Sequence, residues 1–187
     1  MTARRTPHRF TVATYEKMID LGILKEDDRV ELIRGEIVAK MPIGDPHIAC
    51  VDRLNRLLVR AVGDDAIVSI QNPIRLADSE PEPDVVLKRP RDDFYITGKP
   101  GPADILLLIE VADASLDDDR EVKRPLYAEA GIGEYWIVNL VDGCLEVHRQ
   151  PRPDGTYADV RTLRPGETIE IAALPRVTVA VANVLAQ

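Results

Sequence analysis

The sequence predicts a single α/β domain, and three observations point there. Stretches with helical periodicity alternate with short apolar runs bounded by Gly, Pro, Asn and Asp. One run, "DILLLIEV" (104–111), lacks polar alternation, the pattern of a central strand covered on both faces. At 187 residues the chain matches one domain with a substantial core, and it holds no internal repeat or low-complexity linker.

The first ten residues read as a flexible tail and residues 11–187 as the domain. "TVATYEKMIDLGIL" is a helix with Thr11 as its cap and Tyr15, Met18, Ile19 and Leu21 at helical spacing. "RVELIRGEIVAKM" is a hairpin, in which Val30 and Leu32, then Ile37 and Val38, flank an Arg34-Gly35 turn. In "GDPHIACVDRLNRLLVRAVG", Asp45 suits the cap, Pro46 the first helical position and Gly63 the exit. Its apolar stripe is Ile48, Val51, Leu54, Leu58 and Ala61. Four strands are expected next, "AIVSI", "PIRLA", "DVVLK" and "DILLLIEVA", with the loop "TGKPGPAD" between the last two. "REVKRPLYAEAG" is helical, and Pro125, which lacks an N–H, sets its start or a kink. "EYWIVNL", "CLEVHRQ", "TYADVRTL" and "ETIEIAAL" are further strands, and "VAVANVLAQ" is a short closing helix.

Composition narrows the setting. A formal net charge of −8 disfavours long-range attraction to phosphate, although a local basic patch or a bound metal reverses the sign at a site. Cys50 and Cys144 sit among apolar neighbours and read as buried free thiols rather than a disulfide framework. No apolar run approaches the roughly 18 residues of a membrane span. The start, "MTARRTPHRF", lacks the apolar segment of a signal peptide, so a cytoplasmic protein is expected.

Two acids stand out. Asp84 opens a strand in "EPEPDVVLKRP", where Glu80 and Glu82 read as solvated loop charges. Alone, Asp84 reads as a strand-edge acid facing water. Glu110 follows five apolar residues and precedes Val111 and Ala112, and a carboxylate buried there needs a cation. Either an ion pair or a metal answers that need, since carboxylates on adjacent strands can share one Mg²⁺. Lys123, on the following helix, is either an exposed partner of Asp119 or a group that stabilises charge at the site. Gln71, Tyr127 and His47 are weaker candidates: Gln71 on a neighbouring strand, Tyr127 one helical turn from Lys123, His47 near a helix start. "GKPG" lacks the spacing of a phosphate loop.

"PEPDVVL", "LLLIEVADASLDDDREVKRPLYAEAGIGEYWIV", "RVELIRGEIVAKMP" and "LPRVTVAVANVL" together resemble the Uma2 family, over about residues 11–185. The resemblance implies a restriction endonuclease-like, PD-(D/E)XK fold: a mixed β-sheet flanked by helices, with additional β-hairpins. It implies Asp84 and Glu110 as ligands of Mg²⁺ or Mn²⁺, Glu31 (with Glu36 as the alternative) as a supporting acid, and Lys123 as the lysine. The usual lysine position, two beyond the second acid, is Ala112 here. The implied function is metal-dependent endonuclease cleavage of DNA by a homodimer or higher homo-oligomer. The alternatives are a non-catalytic nucleic-acid or protein binding module that keeps the fold, and a scaffold in which Glu110 and Lys123 form a buried ion pair.

Overall fold

The computed structural model describes residues 7–185. Helix α1 (Val12–Asp20) starts at Thr11, whose side chain accepts the Thr14 N–H as the spacing predicts. Strands β1 (Val30–Ile33) and β2 (Glu36–Ala39) form the expected hairpin. Its turn residues Arg34 and Gly35 have φ of 51° and 77°, as a two-residue type I′ turn requires. The Phe10 N–H donates to Gly35 O, so the chain entering α1 lies against this turn; residues 1–6 of the expected tail fall outside the described range.

Helix α2 (Asp45–Val62) differs from expectation at two points. Gly44 is its cap and Asp45 lies inside the first turn, where a carboxylate is favoured by the helix dipole. Its buried stripe is His47, Cys50, Val51, Leu54, Leu58 and Val62, while Ile48 is 44% exposed and Ala61 faces solvent. Two polarizable side chains, His47 and Cys50, take inward positions that hydrophobicity alone assigns to Ile48.

Strands β3 (Ile67–Ile70), β4 (Val85–Lys88), β5 (Ile105–Ala112), β6 (Glu134–Asn139), β7 (Cys144–Pro151) and β8 (Tyr157–Leu163) make one six-stranded sheet in that order. Only β5 and β6 run parallel. "PIRLA" is not a strand. Ile74 N–H bonds to Pro81 O and Leu76 N–H to Ser79 O, so the segment closes on itself and buries both side chains without joining a ladder.

The helical run beyond β5 begins at Leu116, well before Pro125. It comprises α3 (Leu116–Asp118), a π turn (Asp119–Lys123) and α4 (Arg124–Glu129). The Arg124 N–H reaches back to Asp119 O, and this widened ladder just ahead of Pro125 accommodates its missing N–H. Strands β9 (Thr168–Ile171) and β10 (Leu174–Ala180) form a second hairpin, and the closing helix α5 (Val181–Leu185) starts two residues later than expected because Val179 and Ala180 stay in the strand. Residues 186–187 of the expected helix fall outside the described range.

Both faces of the sheet centre are covered. Leu54 and Leu58 of α2, Val179 of β10 and Val184 of α5 pack with Leu107, Ile109, Val111 and Trp136. Leu126 and Tyr127 of α4, with Ile132, pack on the other face with Leu108, Ala112, Tyr135 and Ile137. All eight residues of β5 are buried, which explains its lack of alternation. Each large aliphatic side chain buried there contributes about 1.5–3 kcal/mol. The open part of the sheet is β8, where only Tyr157 is buried. No helix among the described residues is long and apolar enough to cross a membrane.

Candidate active site

Strand register builds the site. Val85 of β4 pairs with Ile109 of β5, so one step further Asp84 comes opposite Glu110. Residues alternate between sheet faces, so Glu110 shares the face of Leu108 and Ala112 and points toward the helical run after β5. The two acids each reach across the ladder to the backbone of the opposite strand. The Asp84 N–H donates to Glu110 Oε2 at 3.3 Å, and the Val111 N–H donates to Asp84 Oδ2 at 2.8 Å.

The π turn supplies the third group. Lys123 is its last residue, and Nζ donates to Glu110 Oε1 at 3.1 Å. It also lies 3.8 Å from Glu31 on β1 and 3.8 Å from Asp119 at the start of the turn. Tyr127, four residues on, donates to Glu110 Oε1 at 2.8 Å. Glu31 Oε2 accepts the Glu82 N–H, which ties the hairpin to the loop before β4. The alternative acid, Glu36, is exposed and pairs with Arg9 away from this cluster.

The two remaining candidates converge on Asp84. His47 Nε2 stands 3.0 Å from Oδ2, and Gln71 Nε2 donates to Oδ1 at 3.3 Å. His47 is buried and its Nδ1 has no partner among the described residues. All seven sequence-derived candidates therefore meet in one place. Asp119, which the sequence presents only as a helix-pairing partner, is an eighth member at 1% exposure. Its signal was the four-residue spacing to Lys123, which also fits an exposed pair. Two acids expected in solvent are not there: Glu80 is 3% exposed and bonded to Lys99, and Glu82 is half-buried against Lys40. The fold brings Lys40 and Lys99, distant in sequence, over that loop.

Charge in the cluster is unbalanced. Glu31, Asp84, Glu110 and Asp119 are buried around the single ammonium of Lys123. Burial, reinforced by Asp119, Asp84 and Glu31, pushes the Glu110 carboxyl well above the usual range despite Lys123. Burial likewise raises Asp119 to about 6 against the pull of Lys123. Burial alone would lower the Lys123 ammonium, but Glu110, Glu31 and Asp119 outweigh it and hold the group charged. Burial also works on Asp84, yet the contacts from His47, Val111 and Gln71 outweigh it and keep this carboxyl below its ordinary value.

These acids form the floor of a cleft of about 890 Å³, walled by the β1–β2 hairpin on one side and by the π turn on the other. An ionised Asp84 beside a Glu110 that burial and neighbouring acids keep protonated fits a hard divalent cation, which would take the place of that proton. As the side chains stand, no group of three or more His, Cys, Asp or Glu among the described residues is arranged to hold an ion. Asp84 and Glu110, on adjacent strands, are the two acids of the floor that could share such an ion.

Comparison with known proteins gives a consistent assignment. No curated protein matches the chain. Among solved structures, the chain is similar to a protein from Anabaena variabilis titled "a putative nuclease belonging to DUF820". The two superpose with a TM-score of 0.69 at 13% identity, covering 89% of this chain and 94% of that one. They share the fold: a mixed sheet with flanking helices. The model of the Uma2 family, described as "Putative restriction endonuclease", matches residues 12–182. The chain belongs to the Uma2 family.

Proposed function

We propose that the protein is a divalent-metal-dependent endonuclease that hydrolyses DNA phosphodiester bonds. The observation that carries this reading is the acid excess at the cleft floor, with Asp84 opposite Glu110 and one lysine among four buried carboxylates. Asp84 and Glu110 would hold Mg²⁺ or Mn²⁺, which supplies Lewis-acid activation of water and neutralises phosphoryl charge. Lys123 keeps its proton, so its role is to stabilise negative charge on the phosphoryl oxygens rather than to accept a proton. Glu31 and Asp119 hold Lys123 in place. Tyr127 fixes the Glu110 carboxylate from behind, and His47 and Gln71 fix Asp84.

The position of the lysine supports this assignment. Ala112 occupies the strand position two beyond Glu110, and the π turn delivers Lys123 to the same carboxylate from the helix. That same Lys123–Glu110 contact favours a second reading, a binding module in which the pair is closed and no bond is cut.

Cleavage assays separate the two. Plasmid, linear duplex and circular single-stranded DNA are incubated with purified protein in Mg²⁺, Mn²⁺ or EDTA. Divalent-dependent cleavage that disappears in Glu110→Gln is the expected result. No cleavage of any form with either ion, or cleavage that persists in Glu110→Gln, overturns the proposal.

A further inference from the structure

We infer that the substrate of this cleft is an unpaired polynucleotide strand rather than intact duplex; the inference rests on the nuclease reading above and adds the substrate class. The groups that would meet the scissile phosphate are deeply set. Glu110 is 2% exposed, Asp84 9%, and the Lys123 side chain 12%. A duplex presents its phosphates on a broad, stiff surface and contacts proteins through groups that project outward. A flexible single strand can bend a phosphate down to carboxylates set between a hairpin and a helical run, where a duplex must first be deformed at an energetic cost.

The lining carries the second argument, because it mixes two chemistries. Lys25, Arg29, Arg34 and Lys40 line the cleft along the hairpin side and its approach. Some of this charge is shared within the protein: Lys40 pairs with Glu82, and Arg34 with Glu129. The lining acids that are not buried, Glu36, Glu82 and Asp118, are outnumbered by Arg9, Lys25, Arg29, Arg34 and Lys40, although the whole chain carries −8. Interleaved with these cations, Ile19, Leu24, Met41, Ile43 and Val122 line the same cleft. Four of them are open to solvent: Ile19 at 43%, Met41 at 47%, Ile43 at 38% and Val122 at 36%. A duplex offers such side chains little, since its base faces are stacked away. An unpaired strand offers phosphates to the cations and base faces to the apolar residues at once. The charge pattern and the apolar pattern of one cleft therefore select the same ligand.

Fluorescence anisotropy of the full chain, with Ca²⁺ as the divalent ion, tests this. The probes are a labelled single-stranded oligodeoxynucleotide, its blunt duplex, and the same sequence as single-stranded RNA. The single-stranded DNA is expected to bind at least tenfold tighter than the duplex. Met41→Asp and Lys25→Glu, both at exposed positions, are expected to weaken single-strand binding at least threefold each. Equal or tighter duplex binding overturns the inference and leaves the nuclease reading standing, as does a single-strand preference that neither substitution changes. If no nucleic acid binds, the nuclease reading itself falls. RNA binding as tight as DNA binding keeps the inference and extends it to both polynucleotides.

Discussion

Two buried glutamates, Glu134 on β6 and Glu110 on β5, show how differently one fold treats the same side chain. Glu134, 1% exposed, is fully satisfied. Its Oε1 accepts from Trp136 Nε1 at 2.8 Å and from Arg149 Nε and Nη2 at 2.8 and 2.6 Å, and its Oε2 accepts the Ala172 N–H at 2.7 Å. One acid meets one arginine, whose Nε and Nη2 converge on Oε1, and the group ties β7 and the β9–β10 hairpin to β6. Glu110 has the opposite bookkeeping: Lys123 must serve it together with Glu31 and Asp119, with Asp84 adjacent. A balanced buried ion pair holds a fold together. An unbalanced one is a standing cost that a bound cation would relieve.

The largest effect expected from this contrast is on activity. Glu110→Gln should lower DNA cleavage by about 10³-fold, near 4 kcal/mol. It should leave the urea midpoint unchanged or higher, because it removes a carboxylate from a crowd. A marked loss of stability would instead make Glu110 the structural partner of Lys123. Glu134→Ala should do the reverse. It strands Arg149 and should lower stability by about 3–5 kcal/mol, while the folded fraction retains its Mn²⁺ affinity.

The pH dependence of stability gives an intermediate effect. Asp119 holds its proton up to about 6 when folded, against an ordinary 3.8, so its contribution is lost as pH rises through that window. His148 behaves oppositely. Burial and the nearby Arg124 depress it to about 4 from 6.5, so its contribution is lost as pH falls from 6.5 toward 4. Each is worth on the order of 3 kcal/mol, and the two oppose each other in the wild type. Urea denaturation from pH 4 to 7 should therefore show, relative to the wild type, a stability that rises more (or falls less) with pH in Asp119→Asn and falls more with pH in His148→Phe. The raised Glu110 carboxyl adds the same falling background to all three. Identical profiles in both variants would break the assignment of the acid excess to the site. The smallest effect is Gln71→Ala, which removes one contact at 3.3 Å from Asp84 and should weaken Mn²⁺ binding by about 1 kcal/mol, roughly fivefold.

Much of this site was legible in the sequence because strands advertise themselves. Five apolar residues before Glu110 imply a buried acid, whereas Asp84 alone reads as facing water and gains its place only beside Glu110 and through the family resemblance. What the sequence hides is the packing between elements distant in the chain. His47 reads as a helix-start histidine until the N-terminus of α2 is seen against β4. Asp119 and Tyr127 read as a surface pair and a packing residue until the π turn aligns them with Lys123 on one face. "PIRLA" has strand composition, yet local turn bonds and burial of Ile74 and Leu76 satisfy it without a ladder. Glu80 and Glu82 look solvated because their lysines, Lys99 and Lys40, lie elsewhere in the sequence.

Isothermal titration of Mn²⁺ tests the central claim most directly. The wild type is expected to bind one ion per chain, and Asp84→Asn and Glu110→Gln, folded by circular dichroism, are expected to bind none. No heat in the wild type up to millimolar metal, or unchanged binding in both variants, would contradict the assignment of Asp84 and Glu110 as a metal centre.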